Sequence, residues 1–185
     1  MNATERARVI TEKLRDVYPD RRPLLRYASA FELVISVILS AQTTDAQVNL
    51  VTTELFRRFP DPGALASASQ HEVEELVHST GFYRNKAKNV IAAARRIHEE
   101  FGDEVPGTMD ELVTIPGMGR KSANVILGVV YGEPSIVVDT HLTRVTNRLG
   151  FVEEKNAVKI ERELRAIVPS EHQTDFSMAV NLQIG

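Results

Sequence analysis

Start signals for α-helices recur along the whole sequence and constrain the fold more than any other feature. In each signal a Ser or Thr precedes a Glu or Gln by three residues, and apolar residues at helical spacing follow. The Ser or Thr positions are Ser29, Thr44, Ser69, Thr108 and Ser170. Such a pair of side chains can satisfy backbone N–H groups that the first helical turn leaves free. Alternation of apolar and polar residues with a period of two is scarce, so the sequence predicts an all-α fold.

The segment 112–139 interrupts this helical pattern with a hairpin that contains two glycines. Pro116, Gly117 and Gly119 separate the end of a short helix from an apolar helix that begins near Lys121. Two glycines spaced by one residue allow a positive φ and a close approach of the backbone to a ligand. Amide N–H groups at the start of a helix bind anions, so this hairpin is suited to a DNA phosphate.

Composition excludes several other classes of protein. The 185 residues contain no cysteine, which rules out disulfides, thiol nucleophiles and zinc–thiolate sites within them. The net charge of −3 argues against a protein that coats nucleic acid, although a few clustered cations suffice for local contact with DNA. We find no signal peptide, no bilayer-spanning stretch and no histidine pair with metal-ligand spacing. These observations predict a cytoplasmic protein with no membrane partner and no bound metal.

Two motifs carry a resemblance to a known family. The motif IPGMGRKSAN, followed by VDTHLTRVTNRLG, resembles endonuclease III, in the helix-hairpin-helix, Gly/Pro/Asp superfamily of DNA glycosylases. The similarity extends through LSAQTTD and GFYRNKAKNV over nearly the whole chain. It implies a two-domain helical fold whose six-helix barrel spans about residues 23–133, with the helix-hairpin-helix at about 108–130. Residues 1–22 and 134–185 would form the second domain, with the DNA in a cleft between the two.

The resemblance also implies a reaction, namely removal of oxidised pyrimidines from duplex DNA and β-elimination at the abasic site. The uncharged amine of Lys121 would attack the sugar, expel the base and form a Schiff base. Asp139 would stabilise positive charge on the sugar or accept a proton. A solvated helix lysine and a simple helix N-cap are the alternative interpretations of these two residues.

The damaged nucleotide must leave the duplex before this reaction, and protein side chains would fill the space behind it. The resemblance assigns the filling of this space to Gln42 and the role of an apolar wedge to Phe82, and it places Asp45 at the mouth of the base pocket. A loop glutamine, a core phenylalanine and an ordinary helix start are the alternatives. Further expected DNA contacts are Gly117, Gly119, Arg120 and His141, together with Arg84 and Lys88 from a basic segment that also contains Lys86, Arg95 and Arg96. A structural role for His141 and a solvated helix face for the basic segment are the alternatives.

Two features depart from the endonuclease III pattern. The family usually continues into a four-cysteine loop that binds a [4Fe–4S] cluster, but these residues supply no thiolate for it. The last helix, within TDFSMAVNLQIG, has a Phe-x-x-Ala pattern closer to the adenine glycosylases. Some hairpins of the family bind a monovalent cation through backbone carbonyls, so such an ion is the one candidate cofactor.

Two other functions stay open on the sequence alone. One is a helix-hairpin-helix protein that binds DNA without catalysis. The other is a glycosylase that acts on mismatched thymine or uracil, or on adenine. For the favoured function, the expected partner is double-stranded DNA with a damaged base or an abasic site, and the chain is expected to be a monomer.

Overall fold

The computed structural model describes residues 2–17 and 24–182, and all regular structure in these ranges is helical. The all-α prediction is therefore confirmed. The sequence Tyr18-Pro19-Asp20-Arg21-Arg22-Pro23 predicts a linker after the first helix, and these residues lie outside the described ranges. None of the described helices is both long and apolar enough to cross a membrane. Two short 3₁₀ helices span His78–Thr80 and Ser170–His172. The α-helices are α1 (Ala3–Val17), α2 (Ala30–Leu39), α3 (Asp45–Arg58), α4 (Pro62–Ala66), α5 (Gln70–Val77), α6 (Tyr83–Phe101), α7 (Met109–Leu112), α8 (Arg120–Val130), α9 (Thr140–Arg148), α10 (Ala157–Ile167) and α11 (Gln173–Leu182).

Four of the five predicted start signals begin a helix. In each, the side chain accepts a hydrogen bond from the backbone N–H three residues later; the four are Ser29, Thr44, Ser69 and Thr108. The expectation for Ser170 is wrong, because this residue lies in a 3₁₀ turn and α11 begins only at Gln173. The buried amide of Gln173 instead donates to the carbonyls of Arg165 and Val168, so it satisfies the end of α10.

The Cα positions divide the chain into two compact units. The hairpin unit comprises residues 24–126, and the terminal unit comprises residues 1–23 and 127–185. The boundary falls within α8, which therefore begins in the hairpin unit and ends in the terminal unit. The domain limits implied by the family, including a barrel at 23–133, stay a prediction.

The core of the hairpin unit is built around α2. Eight of its ten side chains are buried, as expected for a helix that is apolar on nearly every side. Helices α3 and α6 pack against it. Each fully buried Leu or Ile side chain stabilises the fold by about 1.5–3 kcal/mol relative to an exposed one, so burial of α2 contributes strongly to the stability of this unit.

The terminal unit has its own core, formed by helices α1, α9, α10 and α11. The rings of Phe151 and Phe176 meet edge to face, with centroids 6.1 Å apart. The Arg6 guanidinium lies 5.1 Å from the Phe151 ring centroid and donates a hydrogen bond to the carbonyl of Leu149. These contacts join α1 to the helices that follow Asp139.

Candidate functional site

The glycine hairpin between α7 and α8 is anchored by side chains that point into the hairpin unit. Leu112, Ile115 and Met118 are buried, and the Met118 N–H donates to the Ile115 carbonyl at 3.0 Å. The Ala123 N–H donates to the Gly119 carbonyl at 2.9 Å, so Gly119 immediately precedes the first turn of α8. The N–H groups of that first turn have no acceptor within the helix and can bind an anion.

The two hairpin glycines serve different purposes. Gly117 has a φ of 81°, and a Cβ atom at this position would lie 2.9 Å from Ile38 Cγ2 and 3.2 Å from Asn89 Cβ. Gly119 does not have a positive φ, and no atom lies within 4 Å of a Cβ built there. The sequence allows a positive φ at both glycines, and Gly117 alone of the two adopts it. Gly117 lets the hairpin pack closely, whereas Gly119 leaves the backbone open to a ligand.

We expect Gly117→Ala to lower the free energy of unfolding by about 2–4 kcal/mol, because it combines a left-handed φ with a steric clash. Gly119→Ala should change the free energy of unfolding by less than about 0.5 kcal/mol but weaken binding to duplex DNA. Chemical denaturation and a DNA titration measure the two effects. Similar losses of stability in the two variants would contradict these roles.

Lys121 and Asp45 come together in the hairpin unit. Lys121 is exposed in the first turn of α8, and the half-buried Asp45 lies in the first turn of α3, directly after the N-cap Thr44. Burial raises the pKa of the Asp45 carboxyl, and the positive charge of Lys121 partly opposes this shift. The structure thus places a carboxylate within electrostatic reach of the candidate nucleophile.

The raised pKa of Asp45 gives a prediction for stability. Folding favours the protonated carboxyl, so its contribution to stability is present at low pH and is lost as the pH rises through the folded-state pKa. We expect Asp45→Asn to be more stable than the original chain at about pH 7, and this gain to vanish near about pH 3. Chemical denaturation at the two pH values tests it. Asp110→Asn, which alters an exposed carboxylate in the first turn of α7, should show no such gain. A loss of stability in Asp45→Asn at neutral pH would contradict the argument.

Gln42 and Phe82 have backbones in the left-handed region, with φ values of 55° and 48°. Among the described residues, Asp103 is the only other non-glycine residue with a positive φ. Both side chains are exposed, and Phe82 retains 67% of its accessible surface. The alternative of a core phenylalanine is therefore wrong. A left-handed backbone costs an ordinary residue about 1–2 kcal/mol, and such strain is typically kept at functional sites.

The cations of the basic segment around α6 fall into two groups, and the first group is exposed. Arg84 and Lys88 are exposed, and the Arg84 guanidinium lies 5.7 Å from the centroid of the Tyr83 ring. A surface cavity of about 370 Å³ adjoins this point and is lined by Phe82, Tyr83, Arg84 and Asn85. Both cations are thus accessible to a ligand, and their contact with DNA stays a prediction.

The other cations of that segment have partners within the protein. Lys86 is buried, and its Nζ donates to the Thr80 carbonyl at 2.8 Å. Arg95 donates to the carbonyl of Ala66, and Arg96 pairs with Glu100 on its own helix. The alternative of a solvated helix face does not hold for Lys86, because its ammonium faces the interior.

Asp139 caps the N-terminus of α9. Its Oδ1 accepts a hydrogen bond from the Leu142 N–H at 2.8 Å, which fixes the orientation of the carboxylate. His141 lies in the first turn of the same helix, and its Nδ1 is 3.2 Å from Nη2 of Arg144. This contact supports the structural alternative for His141, and its contact with DNA stays a prediction.

A cavity of about 770 Å³ adjoins Asp139 along one side of α9. Three cations that sequence analysis did not single out line it, namely Arg144, Arg148 and Lys155. Asn147, which also lines the cavity, donates from its amide to the carbonyl of Glu154 at 2.9 Å and so connects the segment before Lys155 to α9. Asp139 therefore lies at the edge of a surface with positive charge.

The extended segment before Asp139 is held by polar side chains of α11 that sequence analysis missed. Thr174 Oγ1 accepts a hydrogen bond from the Ser135 N–H, Ser177 Oγ donates to the Ser135 carbonyl, and Asn181 Nδ2 donates to the Val137 carbonyl. The three residues share one side of α11, because they are spaced at helical intervals. They take the place of a neighbouring β-strand and so position Asp139. The Thr-x-x-Ser-x-x-x-Asn spacing shows in the sequence that these residues share one side of α11, but it does not show what that side contacts.

The residues present do not fit the iron–sulfur cluster of the family. The chain has no cysteine, and within the described ranges no group of three or more His, Cys, Asp or Glu side chains could hold a metal ion. No step of the chemistry considered below depends on such a cluster. Lys121 belongs to the hairpin unit and Asp139 to the terminal unit, and their joint action stays a prediction.

Known proteins match this chain in sequence. A family model described as HhH-GPD superfamily base excision DNA repair protein matches residues 35–170. Endonuclease III of Synechocystis sp. is 45% identical over 177 residues, which cover 95% of this chain and 81% of that protein. Endonuclease III of Bacillus subtilis is 44% identical over 161 residues, which cover 86% of this chain and 74% of that protein.

Solved structures match it as well. A non-covalent endonuclease III–DNA complex has a TM-score of 0.89 and 36% identity, and the match covers 97% of this chain and 85% of that chain. A trapped endonuclease III–DNA covalent intermediate has the same TM-score, 37% identity and the same coverage. A thermostable thymine-DNA glycosylase has a TM-score of 0.85 over 97% of this chain and 87% of that chain, but only 20% identity, so this likeness shows the fold alone.

Proposed function

The chain belongs to the endonuclease III family, within the HhH-GPD superfamily of base excision DNA repair proteins, and we propose that it removes oxidised pyrimidines from duplex DNA and then cleaves the strand. It acts as a DNA N-glycosylase with an associated abasic-site lyase activity, and Lys121 is its nucleophile. One observation carries this assignment. Lys121 is exposed in the first turn of α8, directly after the hairpin at which Gly119 leaves the backbone open.

The reaction starts at the anomeric carbon of the damaged nucleotide. The uncharged Lys121 amine forms a bond to C1′, the C1′–N bond to the base breaks, and the base leaves with the bonding electrons and takes up a proton. Opening of the sugar ring then gives a Schiff base between Lys121 and C1′. This imine acidifies the C2′ proton, and its loss expels the 3′ phosphate. Water finally hydrolyses the imine and returns the lysine.

Asp139 is the acid that assists this sequence. Its carboxylate stabilises the positive charge that develops on the sugar as the bond to the base lengthens, or it accepts the proton that Lys121 loses. The N-cap hydrogen bond to Leu142 supports this assignment, because it fixes one carboxylate oxygen and leaves the other for the reaction. A charge held in advance costs no reorganisation when the substrate reacts.

The exposed turns hold the opened duplex in this proposal. Gln42 enters the space that the flipped nucleotide leaves, and Phe82 separates the neighbouring bases; the strained φ of both residues supports these roles. Gly117, Gly119 and Arg120 form the hairpin that binds a backbone phosphate. Arg84, Lys88 and His141 contact other phosphates, which positions the enzyme without selecting a sequence. A monovalent cation at the hairpin carbonyls stays a prediction.

Borohydride trapping tests the proposal. The chain is incubated with duplexes that carry either a thymine glycol or an abasic site, and sodium borohydride then reduces any imine to a stable amine. We expect a covalent protein–DNA adduct on both duplexes and strand cleavage when the reductant is left out. Binding of the same duplexes with neither adduct nor cleavage would show a DNA-binding protein without catalysis. Excision from thymine or uracil mismatches, but not from thymine glycol, would assign a different substrate.

A further inference from the structure

The turn that presents Phe82 has a positive φ at two successive residues, which strains the backbone of Phe82 but not that of the glycine before it. Gly81 and Phe82 both have a positive φ, of 70° and 48°. The Phe82 ring is mostly exposed, so its own packing does little to keep the turn in this conformation. Strain of this kind persists only where surrounding contacts fix the backbone, and the structure shows which contacts these are.

One of these contacts comes from Lys86. Its side chain runs back along the first turn of α6, and its Nζ donates to the carbonyl of Thr80, the residue directly before Gly81. Both residues are nearly inaccessible to solvent, at 5% for Lys86 and 2% for Thr80. The Thr80 hydroxyl in turn donates to the Val77 carbonyl at 2.7 Å. Lys86 therefore connects the residue before the turn to the first turn of α6 through a buried hydrogen bond.

A lysine is a costly residue for this position. Burial lowers the pKa of Lys86, as expected for an ammonium group taken out of water. No ion pair to Lys86 is found among residues 2–17 and 24–182, so no carboxylate offsets the cost. An apolar side chain of the same length would fill the space at lower cost but could not hold the Thr80 carbonyl. The cost is therefore explained by the control of the turn.

The same region is joined to the other strained turn. Gln47 of α3 donates from Nε2 to Ser79 Oγ at 2.6 Å, in the 3₁₀ helix that precedes the Phe82 turn. Helix α3 starts just after Gln42, which has the second strained backbone. The helix that follows one of the two turns is thus hydrogen-bonded to the 3₁₀ helix that precedes the other.

We propose that Lys86 is a positioning residue for base eversion, which holds the Gly81–Phe82 turn in the conformation that lets the Phe82 ring enter the DNA. This role rests on the proposed function, in which Phe82 separates bases next to the flipped nucleotide. Lys86 does not contact DNA and takes no part in the chemistry at C1′. Its loss should therefore affect only those substrates whose nucleotide must first be extracted from a duplex.

The test compares Lys86→Met with the original chain on two DNAs. One is a duplex with thymine glycol beside 2-aminopurine, whose fluorescence rises when neighbouring bases unstack. The other is a single strand with an abasic site, which needs no base eversion. We expect Lys86→Met to slow the fluorescence rise and the excision from the duplex by roughly ten- to hundredfold. Cleavage of the single strand should stay within about threefold of the original rate.

Two comparisons show whether Lys86 acts through Phe82. In a Phe82→Ala background, Lys86→Met should slow duplex excision by less than about twofold more, since the ring it positions is absent. Lys86→Arg, which keeps a cationic donor, should recover much of the lost rate. The matched control is Lys13→Met, which removes the same charge from an exposed position on α1 and should change neither reaction. If circular dichroism shows that Lys86→Met is unfolded, Lys86→Leu, which also lacks a donor for the Thr80 carbonyl, replaces it under the same expectations.

Equal slowing on the duplex and the single strand would overturn the proposal, because a general loss of structure would have that effect. The proposal would also be overturned if the rate reductions of Lys86→Met and Phe82→Ala multiplied in the double variant, because the two residues would then act independently. Failure of the proposed function is a separate result, in which the original chain forms no adduct and cleaves neither DNA. The 2-aminopurine signal requires unstacking of the bases but no reaction at C1′, so in that case it still reports whether Lys86 controls the turn.

Discussion

Lys121→Ala is expected to abolish borohydride trapping and to slow base excision by about a thousandfold or more, because no other group would supply the attacking amine. The fold should be little affected. Lys121 is exposed, and a cation in the first turn of a helix is mildly unfavourable, so the free energy of unfolding should change by less than about 1 kcal/mol. Single-turnover excision on a thymine glycol duplex measures the rate, and gel electrophoresis after reduction measures the adduct.

A matched variant separates catalysis from charge. Lys13→Ala removes an exposed lysine of α1 and should retain both the adduct and the excision rate. Affinity of Lys121→Ala for the same duplex should fall by less than about tenfold, since each phosphate contact adds only modestly to binding. An adduct of undiminished yield in Lys121→Ala would show that another amine attacks the sugar, and the role of Lys121 would be lost.

Local rules predicted those parts of the fold that depend on neighbours in the sequence. The N-caps at Ser29, Thr44, Ser69 and Thr108 follow from a side chain and a backbone N–H three residues apart. Ser170 matched the same pattern and failed. Its Glu/Gln partner, Gln173, is buried and donates hydrogen bonds to carbonyls at the C-terminal end of α10 instead. No local rule predicts these bonds.

Some conformations in the candidate site also could not be predicted from neighbouring residues in the sequence. A positive φ at Gly117 was predictable, because glycine tolerates it, but Gln42 and Phe82 adopt it against their own preference. Only contacts from residues elsewhere in the unit can impose such a conformation. Lys86 illustrates the point, since in the sequence it is one of several cations in a helix. In the structure it is buried beneath the strained turn.

The placement of Asp139 likewise depends on distant residues. The sequence predicts its N-cap role, which Leu142 confirms. It gives no sign that the segment before it is held by side chains of α11 rather than by a β-strand. Residues separated by some forty positions supply these hydrogen bonds, and their spacing on α11 acquires a meaning only when the extended segment is seen beside it.

The two roles of Asp139 can be separated by a pair of substitutions. Asn caps a helix about as well as Asp, so Asp139→Asn should change the free energy of unfolding by less than about 0.5 kcal/mol. It lacks the negative charge and cannot accept a proton, so we expect single-turnover excision to slow by about 10²–10⁴-fold. Asp139→Ala should slow excision by the same factor. It should also lower the free energy of unfolding by about 1 kcal/mol, because the hydrogen bond from the Leu142 N–H is removed.

Asp61 offers a matched control for this pair. Its Oδ1 accepts a hydrogen bond from the Ala64 N–H at 2.8 Å and caps α4 in the same way, outside the residues assigned to the reaction. Asp61→Asn should therefore leave both excision and stability unchanged, and Asp61→Ala should lose stability alone. If Asp139→Asn excised thymine glycol at the original rate, its carboxylate would serve α9 only as a cap. The charge that assists Lys121 would then have to come from another acid, and the half-buried Asp45, which interacts electrostatically with Lys121, is a candidate.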